Sequence, residues 1–276
     1  MNFKRLIRQS ISALKTKNIV PVYSTIESEK EFQNHTALVV GGSGGIGKEI
    51  AKELLGAGCN VIITGSHEGS LKRAEDELGC NENLSGVVLD LQKTETYNSK
   101  IEEAAKLYNG IDIFIDCAGV HTECADFWTI SQAEYERVMN INLRSTYFLC
   151  QAIASYMKSN SKRGHILLIS SSRGEEPAWS PYGISKWGLN GFIKGLAKIL
   201  IPYGIVVNGI APGSTATPLL DYQEGDTIYT EENNVGRYVL PKEVALYARM
   251  LVSNAGNMVV GEVVTISGGR GSFDIR

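Results

Sequence analysis

The chain has 276 residues, 43% of them hydrophobic and 21% charged, with a net charge of −3. That balance suits a soluble globular chain with a sizeable core and argues against nucleic-acid binding, which shows as a basic surplus. No apolar run approaches the roughly 18 residues of a membrane helix. The five cysteines (Cys59, Cys80, Cys117, Cys124, Cys150) are scattered and form no C-x-x-C pair, which fits reduced thiols in a cytoplasmic protein rather than a disulfide framework or a metal site.

The first 17 residues are basic and fit an amphipathic helix. They lack the continuous apolar stretch and small-residue cleavage site of a secretory signal. An extra helix packed on the body or on a neighbouring subunit is the preferred reading, with a transit peptide or a membrane-surface helix as alternatives. Residues 1–35 read as an N-terminal extension and 36–276 as one domain, without internal repeat or linker. From residue 36, β-rich runs at 36–41, 60–65, 86–90, 112–116, 165–170, 205–210 and 262–266 alternate with helical patterns. The runs are mostly continuous apolar ones rather than alternating, as strands covered on both faces should be. One long helical pattern spans 131–158 and another begins near residue 181. The alternation predicts an α/β fold: a doubly wound (Rossmann) parallel seven-stranded sheet with helices on both faces. The polar stretch 219–238 has no period and reads as a functional lid or a disordered insertion.

Three glycines, Gly41, Gly45 and Gly47, join the first strand to the first helix, and Ser43 and Ile46 lie among them. Glycines in such a turn allow a tight bend, a close approach of backbone to a pyrophosphate, and close helix–strand packing. The helix N-terminus adds free N–H groups and a positive dipole end. At the end of the second strand, where an NAD site usually carries an acid, stand Gly65, Ser66 and His67, with Lys48 just past the glycine loop. The missing carboxylate leaves room for a 2′-phosphate, so NADP(H) is favoured and NAD(H) remains possible.

Tyr182 and Lys186 lie four apart in SPYGISK, one turn apart on one helix face. A nearby ammonium favours the phenolate, so the lysine is expected to lower the tyrosine's ordinary pKa near 10 and fit it for proton exchange with a carbonyl or alcohol. The preceding strand HILLIS leads to Ser171, placed to reach the same oxygen, with Ser170 and Ser172 as alternatives.

The order of glycine loop, Asp90-Leu91, Ala118-Gly119, the serines, Tyr-x-x-x-Lys and Pro212-Gly213 resembles the short-chain dehydrogenase/reductase family from residue 36 to about 270, and within it the 3-oxoacyl-acyl-carrier-protein reductases and sugar or polyol dehydrogenases. The resemblance implies an oxidoreductase that moves hydride between a nicotinamide and a carbonyl or secondary alcohol. In it Asp90 and Leu91 would meet the adenine, Ala118 and Gly119 would pass close to the cofactor, and Lys186 would hold the nicotinamide ribose. Ser171 would orient the substrate oxygen, and Asn142 would hold a water leading from Lys186 to solvent. Pro212, Gly213, Thr215 and Thr217 would border the nicotinamide. It also implies a homo-oligomer, a tetramer or a dimer, and a small-molecule carbonyl or alcohol as substrate. Val40, Asp116 and Cys117 depart from the family's usual Thr, Asn and Asn, and Ser171 stands eleven positions before Tyr182, about two fewer than usual. These departures leave a catalytically impaired NADP-binding scaffold as the alternative. In the shortened loop, Glu175, Glu176 and Trp179 are placed to face substrate; for Glu175 and Glu176 the preferred reading is solvated carboxylates, and for Trp179 a packed indole is the alternative.

Overall fold

A strand buried on both faces sends alternate side chains into two different apolar layers. The computed structural model, which describes residues 30–123, 126–223 and 225–270, shows this arrangement. Its strands are β1 (Thr36–Val40), β2 (Asn60–Gly65), β3 (Leu84–Val88), β4 (Ile113–Asp116), β5 (Gly164–Ile169), β6 (Ile205–Pro212) and β7 (Val263–Ile266). They form one sheet in the order β3-β2-β1-β4-β5-β6-β7, every neighbouring pair parallel. The helices are α1 (Gly45–Gly56), α2 (Glu68–Leu78), α3 (Tyr97–Leu107), α4 (Gln132–Met139), α5 (Ser145–Ser159), α6 (Pro181–Leu200) and α7 (Pro241–Val252). This is the doubly wound fold expected from the sequence.

Leu38, Phe114, Ile166 and Val207 line up across four strands. They face Ile101 of α3, Ile153 of α5 and Ile193 of α6. Their neighbours Val39, Ile63, Ile115 and Leu167 face the other way, onto Leu54 of α1 and Val244 and Leu251 of α7. Each such side chain contributes about 1.5–3 kcal/mol by its burial. Strand order reverses between β1 and β4, and a crevice opens there beyond the strands' C-terminal ends.

Residues 30–35 already belong to this body. Phe32 is buried with the α1/α7 layer, and Glu31 pairs with Arg249 of α7 at 2.9 Å. The basic N-terminal stretch and Cys124 lie outside the described residues. The long helical pattern 131–158 is not one α-helix: a π-helical turn, Asn140–Arg144, separates α4 from α5. The polar stretch 219–238 is held by its own bonds, among them Asn233 Nδ2 to Arg237 O at 2.7 Å and Arg237 to Glu243 at the start of α7. At the sheet's opposite, N-terminal edge, His165, second in β5, is almost fully buried. Its Nδ1 has no hydrogen-bond partner. No helix among the described residues is long and apolar enough to cross a membrane.

Candidate active site

The glycine loop is shaped by backbone approaches that only glycine permits. A Cβ on Gly47 would lie 2.4 Å from Gly41 O, and one on Gly41, whose φ is +72°, would lie 3.1 Å from Ala118 N. The N-terminus of α1 follows with no side-chain cap and no acid in its first turn, so its free N–H groups and positive dipole end suit a diphosphate. The cleft in front measures about 630 Å³ and is lined by Gly41, Ser43, Gly45, Ile46, Gly47, Ser66, Asp90, Leu91, Ala118, Gly119 and Thr217. A dinucleotide therefore fits the residues present.

Two of the expected contacts are placed differently. His67 does not line the cleft and sits at the cap position of α2. Lys48 is engaged by Glu77 of α2. Gly65 leaves space for little else: a Cβ there would lie 2.9 Å from Ser43 Oγ and 3.2 Å from Ser70 Oγ. Asp90 lines the cleft while accepting a hydrogen bond from Gln92 N at 2.9 Å.

The cleft continues into a smaller pocket lined by Ser171, Tyr182, Lys186, Pro212, Gly213, Thr215 and Thr217. Helix α6 starts on Ser180, whose side chain accepts from Gly183 N at 3.2 Å, with Pro181 at the first position, a favourable N-terminal pairing. This puts Tyr182 in the first turn and Lys186 one turn on. Ser171 and Tyr182 line the same pocket. Ser170 is turned away to Asn190, and Ser172 belongs to a tight turn, so Ser171 is the serine that meets the tyrosine. Lys186 is buried, and its Nζ donates to Ile169 O at 3.0 Å.

The electrostatics differ from the sequence expectation. Burial raises the Tyr182 pKa above its ordinary value, with the Ser171 hydrogen bond and the Arg173 charge opposing it. The Lys186 ammonium lies 5.7 Å from the ring centroid. Burial also lowers Lys186 itself to about 8, opposed by Asp116 and Cys117. Asp116 keeps its carboxylate bonded, accepting from Ala118 N at 3.0 Å and Thr146 Oγ1 at 2.7 Å.

Asn142 sits fully buried in the π-helical turn. Its Oδ1 accepts from Val120 N at 2.8 Å and its Nδ2 donates to Val120 O at 2.9 Å. The residue thus pins the loop after β4 beside the pocket. A Cβ on Gly119 would lie 3.5 Å from Asn142 Oδ1 and 3.7 Å from Lys186 Nζ, which places the two side chains near one point.

Sequence reasoning missed His121. Its ring stacks on Tyr182 at 4.1 Å between centroids, 15° from parallel. Its position, two residues past Ala118-Gly119, was the available signal. Glu176 is also not a free carboxylate: it accepts from Arg173 Nη1 at 2.7 Å and from Arg270 Nε at 3.1 Å. Glu175 accepts from Thr265 Oγ1 at 3.2 Å, and Trp179 is about half exposed.

A family model described as short chain dehydrogenase matches residues 35–227. The chain belongs to that family. It is 35% identical over 248 residues to the 3-oxoacyl-acyl-carrier-protein reductase of Aquifex aeolicus, covering 87% of this chain and 99% of the relative. It is 31% identical to the L-rhamnose 1-dehydrogenase (NADP(+)) of Thermoplasma acidophilum, covering 87% and 97%. Among solved structures, a variant actinorhodin polyketide ketoreductase with NADPH superposes with a TM-score of 0.79 at 26% identity, covering 87% of this chain and 98% of that one. The family member described here is an NAD(P)-dependent oxidoreductase acting on carbonyl or alcohol groups.

Proposed function

We propose that this enzyme reduces a carbonyl with NADPH, with Tyr182 as the proton donor. The observation that carries the reading is the convergence of Ser171, Tyr182 and Lys186 in one pocket opening from the glycine-lined cleft. The nicotinamide, when bound, supplies hydride to the carbonyl carbon. Ser171 and Tyr182 hold the substrate oxygen between their hydroxyls, and Tyr182 gives it a proton as negative charge develops there. A phenol whose pKa is raised by burial stays protonated at neutral pH, which suits an acid rather than a base. Lys186 holds the ribose of the nicotinamide, and its ammonium offsets the negative charge left on the phenol once the proton is given up. Asn142 positions the loop after β4 and the water path to Lys186.

NADPH is the preferred cofactor on this reading because no carboxylate stands at Gly65 and Ser66 offers a hydroxyl on the cleft wall. Substrates of the acyl-thioester or sugar type are favoured by the relatives' names. The chain works as a single domain in the cytosol, and it pairs with copies of itself through α5 and α6. Tyr147, Ile184 and Trp187 on those helices are 48%, 38% and 50% exposed, a large outlay of apolar surface for an isolated chain.

The test is Tyr182→Phe, assayed for NADPH oxidation against a panel of 3-oxoacyl thioesters and keto sugars. Loss of a general acid lowers the rate roughly 10²–10⁴-fold, while NADPH affinity stays near that of the parent. A variant that keeps more than about a tenth of the rate, well above that range, refutes the assignment.

A further inference from the structure

The loop that carries the stacked His121 ring is held in place from three directions. Behind His121, both backbone groups of Val120 are taken by the Asn142 side chain. The His121 carbonyl accepts from Arg137 Nη2 at 2.7 Å. Ahead of it, Thr122 Oγ1 accepts from Tyr182 N at 3.2 Å. The loop that carries His121 is therefore tied to the π-helical turn, to α4 and to the first turn of α6. The parallel contact with the phenol is built into the fold.

The groups facing this stack set its charge. Lys186 comes from α6 and Arg173 from the turn after β5, both cationic. Asp116, which ends β4, and Cys117 after it act on Lys186 in turn. Burial and the two cations hold the imidazole below its ordinary pKa, so at neutral pH it is uncharged. A neutral ring stacked face to face shields one side of the phenol from water without adding a third cation to the pocket.

We infer that His121 is a positioning residue for Tyr182: it clamps the phenol in line with Ser171 and keeps that face of the ring dry. The inference rests on Tyr182 being the proton donor, and it adds to the pocket a wall that the motif residues do not supply. One consequence is directional. Removing the ring lets water reach the phenol and lowers its pKa, because desolvation is the first cause that raises it. The alkaline limb of carbonyl reduction then moves to lower pH, since the acid form of Tyr182 is lost earlier.

Two variants of the full chain separate stacking from polarity. His121→Ala removes the ring, and His121→Phe keeps the ring but not the nitrogens. The phenolate absorbance of Tyr182 is titrated as the difference between each protein and its Tyr182→Phe counterpart, with no substrate or cofactor needed. His121→Ala titrates about half a pH unit or more below the parent, the order expected when a buried group gains water. His121→Phe titrates with the parent. In parallel, kcat for reduction of acetoacetyl-CoA falls roughly two- to tenfold in His121→Ala, the range a lost aromatic stack implies, and recovers in His121→Phe. An unchanged titration in His121→Ala overturns the proposal, and so does a phenylalanine variant that behaves like the alanine one. Either result leaves the role of Tyr182 standing, because that role is judged by Tyr182→Phe alone.

Discussion

Replacing His165 by glutamine should change how the protein responds to acid. Burial lowers the His165 pKa from its ordinary 6.5 to about 4, with nearby His35 adding to the effect and a hydrogen bond with Asn257 opposing it. The folded state thus refuses a proton that the unfolded chain accepts. His165 costs nothing above pH 6.5, and stability drains away as pH falls from about 6.5 towards 4. The difference between 6.5 and about 4, at about 1.4 kcal/mol per tenfold change in proton affinity, amounts to about 3 kcal/mol. The orphaned Nδ1 points the same way, since no acceptor waits for the added proton. Urea unfolding of the parent and of His165→Gln, measured from pH 7 down to pH 4.5, isolates the effect. Carboxylate titrations contribute equally to both proteins, so the gap between the two curves belongs to His165. Below pH 6.5 the parent should lose ground to the variant, by an amount that approaches about 3 kcal/mol at the acid end. Curves that stay parallel throughout would show that the imidazole is not held neutral by its burial.

Gly47→Ala should disturb the cofactor cleft directly. The new methyl would meet Gly41 O at 2.4 Å and Gly42 Cα at 3.1 Å, both backbone, so α1 must move away from the turn. A loss of about 1–3 kcal/mol in stability is typical of such overpacking, and NADPH affinity should fall at least about tenfold, an energy of the same order; unchanged melting and binding would refute it. Glu77→Gln releases Lys48 from its ion pair. If Lys48 serves the 2′-phosphate, NADPH affinity rises about two- to fivefold, the scale of a surface ion pair, and NADH affinity stays put; equal shifts for both cofactors would count against that role. Light scattering at micromolar concentration should give a multiple of the chain mass, and a monomer would remove the pairing proposed for α5 and α6.

The central strands were legible because burial on both faces leaves largely apolar runs, as in ALVV and ILLI. Tyr182 and Lys186 were legible because a helix puts positions four apart on one face, and Ser171 because it ends a strand that leads there. The π-helical turn was not: NINLR continues the apolar rhythm of its helix, and the extra residue in the turn leaves no mark in composition. The direction of the Tyr182 shift was not legible, because spacing reveals that a lysine is near but not how deeply the phenol is buried. Ion pairs between distant segments, such as Lys48 with Glu77 or Arg270 with Glu176, have no local signature at all. His121 was hidden for a related reason, since a lone histidine after a strand says nothing of the ring it will face.

The π-helical turn at Asn140–Arg144 acts as a phase shifter between two otherwise regular helices. One residue more or less rotates everything downstream by about 100° around the helix axis. Were all five residues of NINLR to take up ordinary helical geometry instead, α5 would swing about its own axis by most of that step. Tyr147 and Phe148 would leave the outer surface, and Thr146 would leave the Asp116 carboxylate to which it donates. At the same stroke Asn142 would lose Val120. The geometry of the pocket and the character of the outer wall are thus written into the same five residues, and neither can drift without the other.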